Sequence, residues 1–320
     1  PINRMHGYDD IEFPVPETFF DDFSSRSSFV SETWMALKGM KGHVLNIAPT
    51  MEEIKKSPKI RPPFLHEMNS KQQKAWHSAY DPRNLRYQKL IQEGKLQGET
   101  KSLYIYQRFI KDYVRCVDGL DDQIGRILNF LDEHNLTENT LVIYSSDQGF
   151  FTGEHGWAEK RWMYEESFRS PLLMRWPKMV KPGTKITQLV QNIDLAPTFI
   201  KAAGLTPPET VHGIALQPIL SNPSSRLWRK DILYQYFDGG TPTNRGPYNM
   251  PRHEGIRDKR YKLISFYDYK TWEFYDLKKD PEELHNLFNQ ESMKLEIKRV
   301  PQRPRINEAQ RGRYARYANI

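Results

Sequence analysis

The longest regular alternation of apolar and polar positions begins at Leu103 and ends at Leu131. Leu103, Tyr106, Ile110, Tyr113, Val117, Leu120, Ile124, Ile127, Leu128 and Leu131 recur every three or four residues, which predicts one long amphipathic helix. A break over 133–140 leads into the apolar run LVIY at 141–144, and a second run, LLMRW, follows at 172–176. Helix, short loop and apolar strand form the repeating unit of an α/β sheet whose helices cover its faces. Further on, ILYQYF, YKLISFY and WEFYDL are β-branched and aromatic runs parted by polar turns, as in a small antiparallel sheet. The predicted fold class is therefore α/β with a small C-terminal antiparallel subdomain.

Other stretches are less regular. Residues 1–32 carry prolines at 1, 14 and 16 and read as irregular surface chain. After Asn69, a helix cap, KQQKAWHSAY predicts three turns ending before Pro82, and residues 84–93 predict a second helix stopped at Gly94. Asp194 is placed to cap a short helix that Gly204 ends. The Pro/Ser-rich segment 218–225 predicts a boundary. The expected division is 1–217 for the main α/β domain, 218–290 for the C-terminal subdomain, and 291–320 for a mobile basic tail. Asp118, Asp121 and Asp122 read as the solvated side of the long helix, and Cys116 as a small core residue.

Composition narrows the picture. An apolar fraction of 38% supports a packed core, and no run approaches the roughly 20 apolar residues that cross a bilayer. A single cysteine excludes an intrachain disulfide within these 320 residues. The net charge of +7 points to an anionic partner, but residues 291–320 hold eight Lys/Arg against three Asp/Glu and leave the body near balance. Arg303, Arg305, Arg311, Arg313 and Arg316, interleaved with Tyr314 and Tyr317, would carry a non-enzymatic polyanion- or nucleic-acid-binding role. That role is the less favoured reading.

The densest chemistry lies between the two apolar runs. Asp147 and Gln148 follow the first run directly, where open α/β sheets place ligand groups, and they offer hard oxygens suited to Ca²⁺ or Mg²⁺. Two ligands do not complete a site, and a turn-forming role is the plain alternative. Lys160, flanked by Glu159 and Arg161, can hold an oxyanion beside a metal, or these three can form a charged surface turn. His155, between two glycines, can act as acid, base or ligand contact, or can anchor its loop. Glu165 and Arg169 stand four apart in the order favoured for a helical ion pair.

Taken together, YSSDQGFFTGEHGWAEKRWMYEESFRSPLLMRWP resembles the metal-and-lysine block of the sulfatases, in the alkaline phosphatase-like superfamily. The similarity continues through IDLAPTFIKAAG, GIRDKRYKLI and WEFYDLKKDPEELHNL, and YDDIEFPVPETFFDDFSSR and KAWHSAYDP resemble bacterial sulfatases acting on N-acetylglucosamine 6-sulfate. The resemblance implies that Asp147 and Gln148 are Ca²⁺ ligands and that Lys160 binds the sulfate. It implies sugar contacts from Arg161 and Glu159, and a place over the substrate for His253. The family's nucleophile is a formylglycine made within C/S-x-P-x-R, and no such motif occurs in these residues. Cys116 precedes Val-Asp-Gly, and SNPSSR displaces the arginine by one position. The expectation is thus the C-terminal portion of a periplasmic or secreted sulfuric ester hydrolase of sulfated glycans, inactive alone. A superfamily phosphodiesterase or phosphatase is the alternative.

Overall fold

The computed structural model describes residues 2–39, 45–241, 243–244 and 250–299. In chain order it contains helices α1 (Met51–Lys56), α2 (Pro63–His66), α3 (Ser70–Gln92) and α4 (Gly98–Glu133). Strands β1 (Val142–Ser145), β2 (Phe151–Thr152) and β3 (Ala158–Glu159) follow, then α5 (Glu165–Phe168) and β4 (Leu172–Arg175). Helices α6 (Leu195–Ala202) and α7 (Gln217–Ser221) precede β5 (Asp231–Tyr236), β6 (His253–Asp258), β7 (Tyr261–Phe266) and β8 (Thr271–Asp276), and α8 (Lys294–Arg299) comes last. The chain divides into two compact units. One comprises Pro1–Asp21, Trp34–Asn135 and Phe151–Glu159, and the other Asp22–Thr33, Leu136–Phe150 and Lys160–Ile320.

In the first unit, α4 is the long helix that the apolar spacing predicts. Of its stripe, Tyr106 and Ile110 are buried, together with Ile105 and Phe109 beside them, whereas Val117, Leu120 and Ile127 of the stripe are exposed. Its acidic residues are more than a solvated side: Asp118 accepts from the Tyr8 hydroxyl and Asp122 from the Arg4 guanidinium. Cys116 is exposed rather than in the core, because it sits one step round the helix from buried Arg115. The helix expected to end before Pro82 instead runs through it to Gln92. Proline removes one hydrogen bond and costs about 3 kcal/mol in a helix interior. Burial of Trp76, Ala79 and Tyr80 on one side and Asn84 on the other offsets that cost, each large side chain contributing roughly 1.5–3 kcal/mol. Asn69 caps this helix as expected, accepting from Gln72 N–H in a capping box.

In the second unit, β1 pairs antiparallel with β4, Val142 opposite Arg175 and Ser145 opposite Leu172. Strands β5, β6, β7 and β8 form an antiparallel sheet in sequence order. Strand β6 lacks the aromatic pattern of its neighbours, so the run HEGIRD carries no strand signal, yet it pairs on both sides. The segment expected to be a linker near 218–225 begins in α7, where Ile219 and Leu220 pack with Leu216, Met174 and Trp176. Asp194 caps no α6 N–H with its side chain. It is fully buried and takes both forks of Arg229, each at 2.6 Å, and Ile214 N–H at 2.8 Å. Of the expected mobile tail, residues 294–299 are helical, and the Arg/Tyr-rich part from 300 onward lies outside the described residues. Among the described residues no helix is long and apolar enough to cross a membrane.

Candidate active site

Strand β1 delivers Asp147 and Gln148 at its C-terminal end, and the chain turns at once through Gly149. That turn is tight: a Cβ on Gly149 would lie 2.0 Å from the Glu166 carbonyl oxygen. Gly149 N–H donates to the Ser167 carbonyl at 2.8 Å, while Ser167 Oγ accepts from Arg161 N–H at 2.7 Å. One buried serine therefore ties both arms of the site, the strand end and the lysine segment.

Lys160 reaches back to Asp147, with Nζ 2.5 Å from Oδ2. The Asp147 side chain is 71% exposed and that of Lys160 27%. The hydrogen bond from Lys160, with its charge, holds the Asp147 carboxyl below its ordinary value. Arg161 follows with φ +106°, and Glu159 precedes with φ +85°. Left-handed backbone at two non-glycine residues is costly and persists only where surroundings over-determine it. Arg161 is held on both sides: Ser167 Oγ accepts its N–H, and the Tyr234 hydroxyl donates to its carbonyl at 2.6 Å. Directly beyond, Trp162, Met163 and Tyr164 are almost wholly buried and fix the segment in the core.

A buried charge cluster anchors the same segment from the C-terminal sheet. Lys262 Nζ donates to the Met163 carbonyl at 2.6 Å and to Glu283 at 2.9 Å, and Glu283 accepts from Glu165 N–H at 2.7 Å. Glu165 pairs with Arg257 and Lys262, not with Arg169 as the helical spacing predicts, since α5 is only four residues long. Burial drives the Glu165 carboxyl up, but Lys262 and Arg257 outweigh it and hold it at about 2. Burial dominates at Glu283 and raises it to about 7. Next to it, fully buried Glu273 accepts from the hydroxyls of Tyr164 and Tyr275 at 2.8 and 2.9 Å.

The remaining expected site residues fall into different surroundings. His253 is fully buried, stacked on Trp162 at 5.7 Å, with Nδ1–H donating to the Pro251 carbonyl at 2.9 Å. Burial lowers its pKa to about 4 against the pull of the Pro251 and Arg161 carbonyls, so the ring is neutral at pH 7 and presents no atom to solvent. His155 belongs to the first unit, where Nδ1 meets Asp21 Oδ2 at 2.7 Å and its N–H donates to Thr18 Oγ1. Of the two roles open to it, this geometry is the loop anchor. Glu159 also lies in the first unit, paired in β3 opposite Phe151. Ser167, Tyr234, Lys262 and Glu283 carry no sequence signal of their own, because their roles arise from contacts far along the chain.

Asp147 and Gln148 supply two adjacent hard-oxygen donors, a chemistry that suits Ca²⁺, which takes six to eight oxygens in all. Among the described residues no group of three or more His, Cys, Asp or Glu gathers to hold a metal ion. The pair fits part of a calcium site.

Comparison with known proteins sharpens the assignment. The sulfatase family profile matches residues 40–205, and that of the C-terminal region of N-sulphoglucosamine sulphohydrolase matches residues 153–310. The chain is 38% identical over 281 residues to an N-acetylglucosamine-6-O-sulfatase of Bacteroides thetaiotaomicron, covering 86% of this chain and 49% of that protein. Human N-acetylglucosamine-6-sulfatase is 31% identical over 173 residues, 51% of this chain and 31% of its own length. A solved structure of BT4656 in complex with its substrate, D-glucosamine-2-N,6-O-disulfate, superimposes with a TM-score of 0.86 at 36% identity, over 93% of this chain and 60% of the other. The chain thus spans about half the length of the Bacteroides relative. From the profile that covers residues 40–205 and the shared alkaline phosphatase-like fold, this chain belongs to the sulfatase family.

Proposed function

We propose that this chain carries the metal-and-lysine part of a glycan sulfatase that releases 6-O-sulfate from N-acetylglucosamine. The observation that carries the reading is the hydrogen bond by which Lys160 reaches Asp147 at the end of β1, where Gln148 is the next residue. Family membership implies a metal and a formylglycine in general. Asp147 and Gln148 would hold the ion, Ca²⁺ by the chemistry of their oxygens, and when bound it supplies positive charge to a sulfate ester. Lys160, on its flexible stem, would leave Asp147 for a sulfate oxygen and steady the charge that grows as the S–O bond breaks. Arg161 would contact the sugar with its fork of donors, with Glu159 the further candidate. His253 would act beneath Arg161 rather than touch the sugar. The attacking group would come from outside these 320 residues, and the working compartment would be periplasmic or extracellular.

The test uses a protein that includes the nucleophile motif and a panel of 2-, 3-, 4- and 6-sulfated sugars together with a phosphate diester. Selective turnover of the 6-sulfated N-acetylglucosamine supports the reading. Preference for another sulfate position overturns the sugar assignment, and preference for the phosphate diester overturns the ester class.

A further inference from the structure

Arg161 holds the strained backbone of the lysine segment. Its φ of +106° lies where residues with side chains are rare, and such a conformation persists only when its surroundings over-determine it. Two side chains do so from opposite ends of the residue. Ser167 Oγ accepts the Arg161 N–H at 2.7 Å, and the Tyr234 hydroxyl donates to the Arg161 carbonyl at 2.6 Å. Both holders are themselves fixed. Ser167 is 1% exposed, and its carbonyl accepts from Gly149 N–H at 2.8 Å. Tyr234 lies in β5 opposite Gly255 of β6, with its ring edge-on to Phe168 at 5.4 Å and tilted against His253 at 5.5 Å. Adjacent residues of α5 thus supply one holder and brace the other. Burial raises the Tyr234 phenol above its ordinary value, so the proton it donates stays on at neutral pH. Beyond Arg161, buried Trp162, Met163 and Tyr164 leave the chain no slack on that side. With N–H and carbonyl both held, the direction in which the Arg161 side chain leaves the backbone is set as well.

We propose that Ser167 and Tyr234 are positioning residues that lock Arg161 in its left-handed conformation and so direct its side chain at the sugar, making them determinants of sugar selectivity that touch no substrate atom. This rests on the reading of Arg161 as the sugar contact. A guanidinium fork discriminates by geometry, and a misplacement of about 1 Å can cost on the order of 100-fold in rate. Without the two hydrogen bonds Arg161 would relax towards negative φ, where most residues lie, and its Cβ would swing away. Lys160 reaches its partner on a long flexible stem and tolerates such a shift better. The loss should therefore fall on recognition of the sugar more than on the sulfate ester.

The test uses Ser167→Ala and Tyr234→Phe, each of which deletes one oxygen and keeps the rest of the side chain. In this chain, amide exchange of Arg161 and its intraresidue amide-to-α-proton NOE report the clamp, because a left-handed φ brings those two protons together. The unsubstituted chain should show a slowly exchanging amide and a strong NOE; Ser167→Ala should speed the exchange, and both variants should weaken the NOE. In a protein that includes the nucleophile, the readout is the ratio of kcat/KM for 6-sulfated N-acetylglucosamine to that for an aryl sulfate, which has no sugar. Each variant should lower that ratio by about 10- to 100-fold. An equal fall on both esters would show damage to the fold alone and overturn the proposal, as would an unmoved ratio in variants where Arg161→Ala lowers it. If Arg161→Ala itself leaves the ratio unmoved, the reading of Arg161 as the sugar contact fails, and the NMR signals still decide whether the clamp exists. Should both variants fail to fold, the unsubstituted chain decides: a fast-exchanging Arg161 amide with a weak NOE overturns the proposal.

Discussion

Lys160 Nζ donates to Asp147 Oδ2 across a loop of only twelve intervening residues, closing strand end and lysine segment into one charged pair at 2.5 Å. Because the Asp147 side chain is largely exposed, the pair contributes little to stability. Lys160→Ala should let the Asp147 carboxyl titrate nearer its ordinary range, read by carboxyl NMR in this chain. In a protein that also contains the nucleophile, the same change should lower turnover on the order of 100-fold or more. Near-normal turnover would remove Lys160 from the chemistry.

Gly149 admits no side chain. Gly149→Ala would press a methyl group against the Glu166 and Arg169 carbonyl oxygens, 2.0 and 2.8 Å away before relaxation. Both are backbone atoms, so relief requires moving α5 and with it Ser167. The expected cost is about 1–3 kcal/mol or more in urea unfolding. A change below about 0.5 kcal/mol would mean that the turn is looser than described.

His253 and Glu283 make stability depend on pH in opposite senses. The His253 folded value, about 4, lies below its ordinary 6.5, so the unfolded chain binds more protons between them. Its contribution is full above pH 6.5 and is lost as pH falls through about 4, up to roughly 3 kcal/mol. Glu283, raised from 4.5 to about 7, binds its extra proton in the folded chain, so its contribution is lost as pH rises through that window. His253→Phe should flatten the acid-side loss and Glu283→Gln the loss towards neutrality, in unfolding curves taken between pH 4 and 8. If His253→Phe leaves the acid-side slope unchanged, the buried neutral ring is not its source.

Lys262 neutralises two carboxylates with no exposure of its own. Lys262→Met should cost about 3–5 kcal/mol, because Glu283 loses its cation while buried. Adding Glu283→Gln should recover part of that loss, and a double-mutant cycle measures the coupling. Strict additivity of the two changes would show that the pair does not act as a unit.

The sequence by itself determined the local elements and the composition of the site. The ten-position apolar stripe of α4, the strand runs at 141–144 and 172–176, and the cluster Asp147, Gln148, Lys160 and Arg161 are periodic or contiguous, and such signals survive in one dimension. The resemblance to the sulfatases rests on the same contiguous block. Tertiary structure decided what depends on distant neighbours. It carried α3 through Pro82 by burying residues on both sides of the proline, and made a central strand of HEGIRD by pairing it twice. It also turned Asp194 from a cap into the partner of Arg229. It withdrew His253 and His155 into the interior, and brought Tyr234 from 73 residues away to the carbonyl of Arg161. Burial and hydrogen-bond direction are properties of surroundings, and no residue carries its surroundings in its own position along the chain.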